Sequence, residues 1–201
     1  TLPRPDALPI SLVIDMGNVA VMQQQAPAAK PVYFCGTGAS PVFIERSADI
    51  AKAVAQIIHS RSFDNGLLPA AEQFVITESV VANQVRHELQ QQGAYFMSAA
   101  DEAKLAQLLQ TLSADSQLLS GQPVQTVATR AGFGVPANTK LLVSTQDYIN
   151  NDSPYTAALA FPIIVFYLEP DWLRACAKCF ALLQNTQHGH TPAIHRSAEP
   201  T

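Results

Sequence analysis

Short apolar runs rich in Val, Ile, Phe and Tyr alternate along this chain with longer stretches in which apolar residues recur every three or four positions. Strands and helices leave these two signatures, and their alternation predicts a layered α/β protein. Predicted strands cover residues 10–15, 31–35, 41–45, 73–77, 139–144, 162–167 and 192–195, most of them short and apolar enough to be buried. One predicted helix carries Ile50, Ala53, Val54, Ile57 and Ile58 on a single stripe, and another carries Leu105, Leu108, Leu109 and Leu112. The second follows Ser98-Ala99-Ala100-Asp101, where the Ser hydroxyl caps the first turn and Asp101 suits its positive end. A third is expected over 79–91, with Val81, Val85 and Leu89 on one stripe and Gly93 as its stop, and a fourth starts at Pro170-Asp171. Gly and Pro mark the breaks between them, and the polar, turn-rich stretch 148–155 reads as a surface loop or flap.

Composition narrows the field. The chain has 201 residues, 48% hydrophobic and 14% charged, which excludes a disordered chain and allows one large domain or two small ones. Its net charge is −4 and its basic residues are scattered, so it lacks the electrostatic footprint of a nucleic-acid or membrane-surface binder. No apolar run reaches the roughly 20 residues a membrane span needs. Three cysteines, an odd and small number, build no disulfide framework and suit a reducing cytoplasm.

The candidate chemistry divides into several small groups. Cys176 and Cys179 form a C-x-x-C followed by His188, His190 and His195, which raises a zinc site. The spacing fits badly, and both thiols fall on a helical stripe with Trp172, Leu173, Phe180 and Leu183, so buried structural cysteines are expected and no metal. A redox C-x-x-C opens a helix, whereas this one lies about two turns inside. Gly36-Thr37-Gly38 after a strand has the look of a phosphate loop without its third glycine or GKS/GKT, and a lone G-x-G is more often a tight turn. His190 between Gly189 and Thr191 offers an imidazole for proton transfer. Asp64 and Glu72 stand on either side of a turn, and nothing in their spacing forces them together.

From Phe63 to Gln73 the chain reads Phe-Asp-Asn-Gly-Leu-Leu-Pro-Ala-Ala-Glu-Gln, and here it resembles the acylating, CoA-dependent aldehyde dehydrogenases, including the aldehyde half of the bifunctional aldehyde/alcohol dehydrogenases. Other pieces resemble that family in the same order: Lys30-Pro31, the run from Gly36 to Ile44, Ser47-Ala48-Asp49-Ile50 with Ala53-Val54, the run from Arg130 to Pro136, Thr139 to Val143, and Gly189-His190-Thr191. The resemblance implies an aldehyde-dehydrogenase-like three-layer catalytic domain with a mostly parallel sheet over residues 29–195. Residues 1–28 would be a remnant of the cofactor-binding domain or a connecting helix, and 196–201 a tail. Family members are more than twice as long.

The chemistry so implied is attack of a cysteine thiolate on an aldehyde, hydride transfer to NAD(P), and transfer of the acyl group to CoA. The resemblance puts the nucleophile at position 69, where this chain has Pro69, with Asn65 beside it and His190 matching a histidine of the catalytic cleft. Gly17, Gly36 and Gly38 match glycines on the cofactor side, but the turn Met16-Gly17-Asn18-Val19-Ala20 keeps one glycine of the family's three. The family's ribose-holding glutamate has no counterpart in Thr156-Ala157-Ala158-Leu159-Ala160-Phe161-Pro162. The expectation is a degenerate catalytic domain, inactive or impaired, kept for binding or assembly as a homo-oligomer or with a homologous subunit. The rival expectation is a working NAD(P)-dependent acyl-CoA reductase acting within a longer chain or complex.

Overall fold

In a computed structural model of the chain, which describes residues 13–15, 32–34, 39–68, 70–112, 116–185 and 192–197, the predicted alternation of strand and helix is realised. Contacts divide the chain into two units, Thr1–Thr37 and Gly38–Thr201. In the first, β1 (Val13–Asp15) pairs in parallel with β2 (Val32–Phe34), Val13 opposite Val32 and Asp15 opposite Phe34.

The second unit is built on a six-stranded sheet in which every pairing is parallel. Its strands are β3 (Ser40–Ile44), β4 (Glu72–Glu78), β5 (Ala94–Phe96), β6 (Leu141–Thr145), β7 (Ile163–Glu169) and β8 (Ala193–His195), in the order β5-β6-β7-β4-β3-β8. Successive side chains of a strand point to opposite faces, and here both faces are apolar because both are covered. Ile163, Val165 and Tyr167 of β7 pack on one side with Leu105 and Leu109 of α3 (Ala99–Thr111), Val127 of α4 (Val124–Ala131), and Ala175, Cys179 and Leu182 of α5 (Trp172–Asn185). Ile164 and Phe166 pack on the other with Ile50, Val54, Ile57 and Ile58 of α1 (Ile50–Ser62) and Val85 and Leu89 of α2 (Ala82–Gln91). The result is three layers.

Several helix ends follow the sequence closely. Ser98 caps α3 by accepting from Asp101 N–H at 3.2 Å, and Asp101 reaches back to Ser98 in a capping box. Asp49 caps α1, accepting from Lys52 N–H at 3.1 Å. Helix α2 starts at Ala82 rather than at the expected 79, because Ser79 donates its N–H (2.8 Å) and hydroxyl (3.1 Å) to the Glu169 carbonyl across the sheet end. The loop read over 148–155 is present, but Tyr155 at its end is 4% exposed and donates its hydroxyl to the Glu102 carbonyl at 2.6 Å. Among the described residues no helix is long and apolar enough to cross a membrane.

Candidate functional site

Helix α1 runs into a short 3-10 turn, Phe63–Gly66, that leads toward β4. Three consecutive residues there are left-handed, with φ of 48° at Asp64, 52° at Asn65 and 80° at Gly66. Asp and Asn tolerate this region better than other side chains, and such conformations persist only where surrounding packing imposes them. The packing is visible at Gly66, where a Cβ would stand 2.5 Å from the carbonyl carbon of Phe161 and 2.9 Å from the nitrogen of Pro162. The turn and the segment entering β7 therefore touch backbone to backbone.

That segment is held by two buried side chains. Arg61, 1% exposed, donates Nε to the Ile163 carbonyl (2.8 Å) and Nη2 to the carbonyls of Phe161 (3.2 Å) and Leu159. Gln73, fully buried on β4, donates Nε2 to the carbonyls of Ala157 (2.7 Å) and Tyr155 (3.3 Å) and accepts from Leu159 N–H (2.9 Å) at Oε1. Burial lowers the Arg61 pKa to about 10, with Glu72 opposing, so the guanidinium stays charged at neutral pH. Neither residue was singled out in the sequence. A charged residue continuing the buried stripe of α1, and an amide at the start of an apolar strand, were the signals available.

Beside this clamp, Ser40 and Glu72 are opposite each other at the starts of β3 and β4. Ser40 Oγ and Glu72 Oε2 are buried without a hydrogen-bond partner, so this sheet end offers two polar atoms to a water or a ligand. Among the described residues no contact joins Glu72 to Asp64.

Of the site residues read from the sequence, Asn65 is described, half-buried in the left-handed turn. Pro69, His190, Gly17, Gly36 and Gly38 lie outside the described residues. The strands that follow shortly after Gly38, Pro69 and His190 in the chain are β3, β4 and β8, which are neighbours and parallel, so their starts share one end of the sheet. The segment entering β7 holds no candidate for the ribose-holding glutamate that the family resemblance implies. No acid occurs between Tyr155 and Ile163, and the backbone there is already engaged by Arg61 and Gln73.

The C-x-x-C lies inside α5, as expected. Cys179 faces the core and burial pushes its thiol up to about 12, while Cys176 is half-buried and also raised by burial. Neither has thiolate character. Among the described residues no group of three or more His, Cys, Asp and Glu could hold a metal, and His188 and His190 lie outside them. His195 closes β8 with Nε2 buried and unpartnered, and burial lowers its pKa against the pull of Glu72.

No protein-family model matches the chain. Among curated proteins it is 29% identical over 186 residues to the bifunctional aldehyde-alcohol dehydrogenase AdhE of Escherichia coli K12, covering 92% of this chain and 21% of that protein. Among solved structures it superposes with a TM-score of 0.84 on an acetylating aldehyde dehydrogenase from Geobacillus thermoglucosidasius, at 31% identity over 93% of this chain and 41% of that one. A probable aldehyde dehydrogenase from Listeria monocytogenes gives 0.82 at 33% identity, over 92% and 41%. The homologues of this chain are the acylating aldehyde dehydrogenases, and it corresponds to a segment of them with their α/β fold.

Proposed function

We propose that this chain is an acylating aldehyde-dehydrogenase-like domain in which the covalent step has been lost and the fold is kept for binding or assembly in the cytoplasm. The observation that carries this reading is Pro69 at the position that the family resemblance gives to the nucleophilic cysteine, just beyond a turn of three left-handed residues whose Gly66 lies against Phe161 and Pro162. Proline supplies neither a thiol to attack an aldehyde nor a backbone N–H to stabilise the resulting oxyanion. None of the three cysteines matches the nucleophile position, since Cys35 precedes β3 in the chain and Cys176 and Cys179 belong to α5. NAD(P) and CoA would supply hydride acceptance and acyl acceptance in a working relative. The missing ribose carboxylate weakens the case for the first here.

Catalysis and ligand recognition are tested separately. The purified chain, given acetaldehyde or propionaldehyde with CoA and NAD+ or NADP+, should form no acyl-CoA and carry no acyl adduct by intact mass. Formation of either would end the reading. Thermal unfolding with NADH, NADPH, CoA or acetyl-CoA reports recognition, because a ligand at about 100 times its dissociation constant adds roughly 2.7 kcal/mol. A saturable shift would mark retained recognition and make Pro69→Cys the variant in which to look for an acyl adduct. Absence of any shift would leave assembly as the retained role.

A second reading is favoured by coverage. The chain spans 41% of the acetylating relative's length, so a longer chain or a partner polypeptide would supply the cofactor domain that a working NAD(P)-dependent acyl-CoA reductase needs. Turnover that appears only when a homologous full-length subunit is added, and survives inactivation of that subunit's own nucleophile, would establish it.

A further inference from the structure

The sheet end where β3 and β4 begin contains two polar atoms that the fold leaves unused. Pro41 has no N–H to give the ladder, and the register slips there: Ser40 stands opposite Glu72 but Pro41 opposite Phe74, so Gln73 is an extra residue on β4. Gln73 turns to the backbone of Tyr155, Ala157 and Leu159, and Glu72 is left beside Ser40. Ser40 is 1% exposed and its Oγ has no hydrogen-bond partner, and Glu72 Oε2 next to it is likewise buried and unpartnered. A native fold rarely leaves such atoms bare, because each has given up a bond to water that nothing in the protein replaces. Arg61 does not use the carboxylate either. Its guanidinium lies within electrostatic reach of Glu72 but donates to the Leu159, Phe161 and Ile163 carbonyls and to Gln73. Glu72 as a residue is half-buried, which places the pair at the rim of the core rather than in its middle.

We propose that Ser40 and Glu72 form a binding site for one hydroxyl group, filled by water in the resting protein and by a small neutral alcohol when one is present. The donor count selects the ligand. A carboxylate oxygen only accepts, so whatever meets Glu72 Oε2 must bring a hydrogen, whereas Ser40 Oγ can donate in return. A hydroxyl satisfies both with a single oxygen. Adjacent strands lie about 4.8 Å apart, so one oxygen seated between the two side chains is within hydrogen-bond reach of each. The alternatives fit less well. A carbonyl brings no hydrogen, an anion meets the charge of Glu72, and an ammonium meets the buried charge of Arg61. Resting on the proposed retention of the fold for binding, the site gives that binding a ligand class. A molecule of four heavy atoms held by two hydrogen bonds binds weakly, with a dissociation constant on the order of millimolar.

Two measurements on the full chain test the site. A crystal structure that shows ordered solvent should place a water within about 2.6–3.2 Å of both Ser40 Oγ and Glu72 Oε2. The amide NMR spectrum, titrated to roughly 100 mM with n-propanol, acetone, propionate or propylammonium, should show saturable shifts at Ser40, Glu72 and Gln73 with n-propanol alone. Ser40→Ala and Glu72→Met remove one partner each and should each weaken that binding by about fivefold or more. A direct Ser40–Glu72 hydrogen bond, or no water between them, overturns the site. So does a water that n-propanol neither displaces nor perturbs, since the pair then holds structural solvent alone. Acetone, propionate or propylammonium binding as tightly as n-propanol overturns recognition by a neutral donor. Shifts that both variants leave unchanged put the contact elsewhere, and the wild-type measurements decide the matter if neither variant folds. Acyl-CoA formation by the chain would end the reading of a lost covalent step without altering any of these results, so the two failures are distinct.

Discussion

A methyl group added at Gly66 would stand 2.5 Å from the Phe161 carbonyl carbon, on a backbone whose φ of +80° already disfavours any L side chain. Both effects act in the same direction, and the obstacle is main chain held from behind by Arg61, so it cannot swing aside. Gly66→Ala should cost about 3 kcal/mol, read as a lower urea midpoint at unchanged slope. A loss under about 1 kcal/mol would mean that the turn and the 155–163 segment are not packed as described. At this scale the sequence was legible where a turn leaves a motif, as at Gly66, read as a break and found left-handed at a φ of 80°. Arg61 and Gln73 were not legible, because their partners are main-chain carbonyls remote in sequence, with Ile163 102 positions from Arg61, and no local pattern announces such a contact.

At the scale of elements, the capping box at the start of α3 is a case where local sequence and final structure agree. Ser98 satisfies an N–H that would otherwise face no partner, and its hydroxyl and N–H hold the Asp101 carboxyl below the usual range. Ser98→Ala should cost about 1 kcal/mol, a fall of roughly 2–4 °C in Tm for a domain of this size, and Ser98→Asp should restore most of it. Equal Tm values for Ser98→Ala and wild type would show that α3 is fixed by its Leu105 and Leu109 contacts alone. Strand β5 and helix α4 are among the described elements that escaped the sequence reading. Strand β5 has three residues, too few for a two-residue period to stand out. Helix α4 contains Val124, Thr126, Val127 and Thr129, β-branched residues that favour strand, and becomes helical because Val124, Val127 and Ala128 bury one face.

Over the whole molecule the parallel three-layer arrangement was legible because both faces of the sheet are covered, which makes β3, β4, β6 and β7 read as continuous apolar runs. The strand order was not, since β4 leads to β5 at the far edge and only long-range pairing decides that. One consequence of the order is electrical. Glu78 of β4 and Glu169 of β7 become register neighbours at the carboxyl end of the sheet, two carboxylates side by side in largely buried positions. Each is answered from a different element: Arg46, after β3, donates its backbone N–H and its guanidinium to Glu78, and Lys178 of α5 pairs with Glu169. The Arg46 hydrogen bonds are the largest influence on Glu78 and hold its carboxyl below the unfolded value of about 4.3. A carboxyl depressed in the folded state contributes stability that is complete above the unfolded pKa and is lost as pH falls through the folded one. Glu102 behaves oppositely, because burial raises its carboxyl, so its contribution favours the fold at low pH and fades as pH rises through its folded value. Urea unfolding of wild type and Glu78→Gln from pH 3 to pH 7 separates these effects. The variant should be less stable by roughly 1–2 kcal/mol at pH 7, with Arg46 half in solvent keeping the figure modest, and the gap should close as pH drops below about 4.3. A gap that stays constant across that range would mean that Glu78 does not carry its charge into the fold, and that the Arg46 bridge does not tie β3 to β4.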